Sequence, residues 1–139
     1  MSTRLREKEE KILQVLERLA DESRKGKPII VEGKKDIDAL RAFGLEGQII
    51  SAKTAGKAFL DVLSEVEKCG TREVVLLLDF DRRGKEWTQR LKQQLEKMGI
   101  TPNTRFWHEL LNLLSRDIRD VESLTNYMKT LRRKLNDLS

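Results

Sequence analysis

Residues 73–84 read EVVLLLDFDRRG. Val74 to Leu78 are apolar without a break, and Val74 and Val75 are β-branched. A strand that is apolar on both faces belongs in the middle of a parallel sheet, where helices cover both sides. The spacing therefore predicts a buried strand over Glu73–Leu78, with Asp79-Phe80-Asp81 directly at its carboxyl end. In extended chain, residues two apart project to the same side, so Asp79 and Asp81 are able to face one point. Carboxylates that close raise each other's pKa unless a cation lies between them. Mg²⁺ suits such a pair, because it takes a few carboxylates, keeps several waters and bridges to phosphate. Taken in isolation, the same two residues also read as solvated aspartates opening a loop.

Working outward from that strand, the chain alternates strands and helices. Residues 4–24 carry Leu5, Ile12, Leu16 and Leu19 at helical spacing, with Ser2 or Thr3 available as a cap. Ile29-Ile30-Val31 is a short β-branched run ending at Glu32-Gly33. Asp36 to Phe43 is helical in pattern and stopped by Gly44, and Gln48-Ile49-Ile50 is a second short strand. Ser51 to Gly56 reads as a loop, and Ala58 to Lys68 as a helix with Leu60, Leu63 and Val66 inward. Lys85 to Met98 is a helix closed by Gly99, and Thr104 to Trp107 reads either as a fourth strand or as the start of a helix. The β-α-β-α-β-α order implies an α/β fold: a mainly parallel sheet of about four strands with helices on both faces. Three parts follow: an N-terminal helix at 1–26, a central domain at 27–107 and a C-terminal helical extension at 108–139.

Ligands of such sheets sit at the carboxyl ends of the strands. Those ends are Glu32, the Ser51–Gly56 loop and Asp79–Asp81. Glu32 thus joins the two aspartates at one edge, Gly33 permits a tight turn or a close backbone approach, and Asp36 is placed to cap the next helix. Basic residues surround the acids: Lys34 and Lys35 after Glu32-Gly33, Lys53 and Lys57 around the middle loop, then Arg82, Arg83, Lys85 and Arg90. Acids ringed by cations suit a metal ion together with a polyanion. The same residues also read as neutralising ion pairs on a charged surface.

The bulk composition agrees. The 139 residues are 38% hydrophobic, enough for one core, and 37% charged, with a net charge of +5. That charge content exceeds the average of about 25%, a density also found in proteins from hot environments. A basic balance favours anionic partners such as nucleic acid. Cys69 is the only cysteine and His108 the only histidine, which leaves no disulfide and no Cys-rich zinc site. The longest apolar run is too short for a bilayer and the N-terminus lacks a signal region, so a cytoplasmic location is expected. No G-x-x-x-x-G-K-[ST] or G-x-G-x-x-G loop is present, which removes P-loop hydrolysis and a dinucleotide fold. Trp87, Phe80, Phe106 and Trp107 are scattered and offer no stacking platform for single strands. Val121, Leu124, Met128, Leu131, Leu135 and Leu138 form one apolar stripe. Such a stripe serves a docked terminal helix, or a partner or second copy.

Three segments together resemble the Toprim domain: Val31-Glu32-Gly33-Lys34-Lys35-Asp36, the loop at Thr54-Ala55-Gly56, and Leu78-Asp79-Phe80-Asp81-Arg82-Arg83-Gly84. That domain is shared by topoisomerases, bacterial-type primases, old-family nucleases, recombination proteins and ribonuclease M5. The resemblance covers residues 27–107 and is strongest to small stand-alone Toprim proteins of archaea and some bacteria. It implies a Rossmann-like Toprim fold, a general acid/base role for Glu32, and Mg²⁺ (with Mn²⁺ able to substitute) on Asp79 and Asp81, with Glu32 as a further ligand. Gly33, Asp36 and Gly84 match motif positions that shape the site. Tyr127, the only tyrosine, lies on the terminal stripe, so topoisomerase chemistry is not expected, nor is primase activity without zinc and helicase-binding domains. The expectation is a small nuclease-like hydrolase of phosphodiesters, RNA in preference to DNA; the alternative is a binding module that keeps the metal site.

Overall fold

A computed structural model describes residues 2–53 and 59–138. In chain order the elements are α1 (Ser2–Arg24), β1 (Ile29–Val31), α2 (Lys34–Ala42), β2 (Ile49–Ser51), α3 (Phe59–Lys68), β3 (Glu73–Leu76), α4 (Arg82–Lys97), β4 (Thr101–Asn103), α5 (Arg105–Leu114) and α6 (Leu124–Leu138). The four strands form one sheet in the order β2-β1-β3-β4, and every pairing is parallel. The chain is an α/β protein with helices on both faces of this sheet, as the alternation of elements predicts.

The two-residue period of the strands divides the core. Ile29, Val31, Val75 and Leu77 point to one face, where they pack with Leu16 and Leu19 of α1, Leu40 of α2, Leu110 of α5 and Leu131 of α6. Ile30, Ile50, Val74, Leu76 and Leu78 point to the other, against Val62 and Val66 of α3 and Leu91 and Leu95 of α4. Leu76, Leu77 and Leu78 are wholly buried. Both faces of the central run are therefore covered, which is why its sequence does not alternate.

Three local expectations need correction, and the terminal stripe follows its docked-helix reading. The ladder of β3 stops at Leu76, although Leu77 still donates to the Ile30 carbonyl at 2.8 Å. The fourth strand is Thr101–Asn103, and Arg105 already begins a helix. Pro102 pairs opposite Val74 there, which an edge strand tolerates because one side of its backbone needs no partner. Leu60 is 74% exposed, because α3 packs through Val62, Leu63 and Val66 instead. The terminal stripe is used inside the fold: Val121 is buried ahead of α6, and Leu124, Met128, Leu131 and Leu135 lie in the core that α1 shares, leaving Leu138 exposed.

Charge also ties the terminal helices together. Lys8 meets Asp117 at 2.7 Å, and Arg18 meets Glu109 with both carboxylate oxygens at 2.7 Å. Such partly exposed pairs contribute only about 0–1 kcal/mol each, so the apolar seam carries the association. Among the described residues no helix is long and apolar enough to cross a membrane.

Truncating Leu77, which is wholly buried under the terminal helices, removes packing that cannot fully collapse. Leu77→Ala should cost about 2–5 kcal/mol, read as a lower urea midpoint with an unchanged denaturant slope.

Candidate metal and phosphate site

The strand order places the change of direction between β1 and β3: from β1 the chain crosses to β2 on one side and later returns to β3 on the other. In open parallel sheets the crevice that takes ligands lies at that point, outside the carboxyl ends. Glu32 follows β1 and Asp79 follows β3, so both stand at this crevice. They touch: the Asp79 amide donates to Glu32 Oε2 at 3.1 Å. The other oxygen, Glu32 Oε1, is bonded by the Lys53 ammonium, which extends from beyond β2. Glu32 is buried, with both oxygens engaged.

Asp79 is half-buried, and its Oδ1 is sealed from solvent without a hydrogen-bond partner among the described residues. Burial, then the charges of Glu32 and Asp36, push its carboxyl up to about 8. A buried carboxylate beside another, with an unpartnered oxygen, is short of positive charge. A proton supplies that charge in the bare protein, and a divalent cation would supply it better. The donor set therefore fits Mg²⁺ chemically.

Asp81 stands apart from this pair. It is exposed and caps α4, with Oδ1 accepting from the Gly84 amide at 2.8 Å. The chain bends at Phe80, which is buried and whose amide donates to the Arg119 carbonyl at 2.6 Å. Among the described residues, no three His, Cys, Asp or Glu side chains form a ready metal cage. Gly84 explains the D-x-D-x-x-G spacing: a Cβ there would overlap the Asp79 carbonyl, so only glycine lets α4 start this close to the strand end.

Asp36 works as a clasp. One oxygen accepts from the Gly33 amide at 2.9 Å, and the other accepts from the Glu122 amide at 2.8 Å. It is buried, and burial pushes its carboxyl above the usual range, against the two amide bonds. The Trp107 indole donates to the Leu78 carbonyl at 2.9 Å, fixing the strand end from α5. The segment 116–122 thus reaches the strand ends through Arg119 at Phe80 and Glu122 at Asp36. Sequence reading missed this loop, because it carries no motif and its contacts are between segments far apart in the chain.

Of the basic residues, Lys34 and Lys35 are exposed at the start of α2, and Arg82, Arg83 and Lys85 are exposed in the first turn of α4. Arg82 pairs with Glu86 at 3.3 Å. Lys53 points inward to Glu32, not outward as a phosphate ligand. Lys57 and the Thr54-Ala55-Gly56 segment lie outside the described residues. Trp87 meets Phe59 edge to face, with ring centroids 5.9 Å apart.

The profile of the Toprim domain matches residues 27–112. The chain is 42% identical over 120 residues to a UPF0292 protein of Methanocaldococcus jannaschii, covering 86% of this chain and 91% of that one. It is 34% identical to a UPF0292 protein of Methanosarcina acetivorans, covering 93% and 88%. A solved structure of a protein from Aquifex aeolicus superposes with a TM-score of 0.67 at 29% identity, covering 79% of this chain and 94% of that one.

Two predictions follow from the geometry. Gly84→Ala must push α4 away from Asp79 and should cost about 1–3 kcal/mol, with loss of the Asp79–Glu32 contact visible as shifted amide resonances. The second concerns pH. The Asp79 carboxyl is raised from an ordinary 3.8 to about 8, so its favourable contribution is full below about pH 4 and is lost as pH rises to about 8. Thermal unfolding in EDTA should show that decline, Asp79→Asn should flatten it, and Mg²⁺ should restore stability most at the alkaline end.

Proposed function

The chain belongs to the Toprim domain family, and from that membership and the geometry above we propose that it is a Mg²⁺-dependent hydrolase of nucleic-acid phosphodiesters. Membership implies a metal-dependent function connected with nucleic acid, and Toprim domains generally bind Mg²⁺. One observation carries the finer reading: the Asp79 amide bonds the Glu32 carboxylate at the switch point, and the Asp79 carboxyl keeps a buried oxygen without a partner among the described residues.

In this reading Asp79, Glu32 and Asp81 hold the ion, with Asp81 turning in from its cap. Bound Mg²⁺ would polarise a phosphate and sharpen a water nucleophile. The chain's own residues do the rest. Lys34, Lys35, Arg83 and Lys85 line the rim as exposed cations and draw the phosphate backbone to the crevice. Glu32 moves a proton to or from the reacting water once Lys53 releases its Oε1. Until then Lys53 keeps the glutamate aimed at Asp79. RNA is the preferred substrate in this proposal, with DNA as the comparison.

The engagement of both Glu32 oxygens favours a second reading, a binding module that holds metal and nucleic acid without turnover.

Labelled RNA and DNA oligonucleotides incubated with Mg²⁺ separate the two. Cleavage by wild type should fall at least about 100-fold in Asp79→Asn and in Glu32→Gln, the scale of removing a positioned proton-transfer group. Mg²⁺-dependent binding with no product, alike in wild type and Glu32→Gln, would establish the binding module. Wild type and both variants behaving identically toward Mg²⁺ and toward every oligonucleotide would sink both readings.

A further inference from the structure

The lysine that holds Glu32 also touches an aromatic pair. Arg83, Trp87 and Arg90 recur at spacings of four and three along α4, which puts them on one helix face. Phe59, the first residue of α3, meets Trp87 with an interplanar angle of 76°. The Lys53 ammonium lies 5.8 Å from the centre of the Trp87 ring. The Arg90 guanidinium carbon lies 4.1 Å from the centre of the Phe59 ring. Phe59 and Trp87 are half-buried and Arg90 is exposed. Contacts therefore run without a gap from Asp79 through Glu32, Lys53, Trp87 and Phe59 to Arg90.

We propose that Trp87, Phe59 and Arg90 form a ledge that stacks an unpaired nucleobase beside the phosphate held at Glu32 and Asp79. The substrate class is then single-stranded nucleic acid or an unpaired loop. This rests on the phosphodiester reading above and names the form of nucleic acid that the same site takes. On their inner side both rings pack against the apolar cluster beneath α3 and α4, and apolar packing alone would leave their outer side bare. Instead, a cation lies against each ring. A guanidinium on an aromatic ring extends a flat surface into solvent, and bases stack on aromatic rings and on guanidinium planes alike. A base inside a duplex already has both faces covered, so only an unpaired base gains from the ledge. Arg83, on the same helix face, is placed to steady the neighbouring phosphate.

The test measures fluorescence anisotropy of a labelled oligouridylate, the matching oligothymidylate and an RNA duplex of equal length, with Ca²⁺ replacing Mg²⁺. Cleavage of the same probes in Mg²⁺ is followed in parallel. Wild type should bind both single strands more tightly than the duplex. Arg90→Lys keeps the charge and loses the plane, and Phe59→Leu loses the ring. Each should weaken single-strand binding roughly 5- to 100-fold, the worth of one stacked base, while duplex affinity and the salt slope stay unchanged. Arg90 is exposed, so Arg90→Lys should melt with wild type and separates stacking from folding. Equal affinity for duplex and single strand, or an Arg90→Lys variant that binds single strands as wild type does, overturns the ledge. If cleavage persists in that case, the hydrolase reading stands. Neither binding nor cleavage of any probe overturns both.

Discussion

The amide of Asp79 donates to the carboxylate of Glu32 across the carboxyl ends of two neighbouring parallel strands. Much of the local structure serves to keep that contact. The strands on either side are short, three residues in β1 and four in β3, so the ladder alone holds few bonds. What fixes the strand ends is packing from both faces and a set of long-range bonds just beyond them. The Trp107 indole holds the Leu78 carbonyl, and Gly84 lets the next helix approach the Asp79 backbone. The result is a burial that a lone carboxylate resists: Asp79 is drawn in beside a second acid, and its appetite for a positive charge is the consequence.

The terminal helices belong to the same construction. Their apolar stripes cover one face of the sheet, and the loop between α5 and α6 reaches the site through backbone groups: the Arg119 carbonyl to Phe80, and the Glu122 amide to Asp36. Asp36 therefore links the first turn of α2 to a segment far along the chain. Loosening the C-terminal region would act on the acidic centre without touching either carboxylate.

Lys53 sits between Glu32 and Trp87. It neutralises Glu32 on one side and faces the Trp87 ring on the other. Under the proposed function a metal ion would compete with it for Glu32 and a stacked base would compete with it for the ring, so the two would be coupled through one side chain.

The sequence by itself determined the kind of fold and the identity of the acids. A run apolar on both faces, Val74 to Leu78, requires a covered central strand, and the alternation of strand and helix requires parallel pairing. Glu32 and Asp79 follow as strand-end residues because a parallel sheet brings its carboxyl ends to one edge. Tertiary structure decided what local pattern does not carry. Asp81 caps α4 because that helix begins at Arg82, and Leu60 faced outward because α3 packs on another stripe. Lys53 was drawn inward by a buried glutamate, and Phe59 met Trp87 because two helices lie side by side on one face of the sheet. Strand direction and hydrophobic period are properties of neighbouring residues. The partner of a carboxylate or a ring is a residue far away in the chain, and only the packed fold selects it.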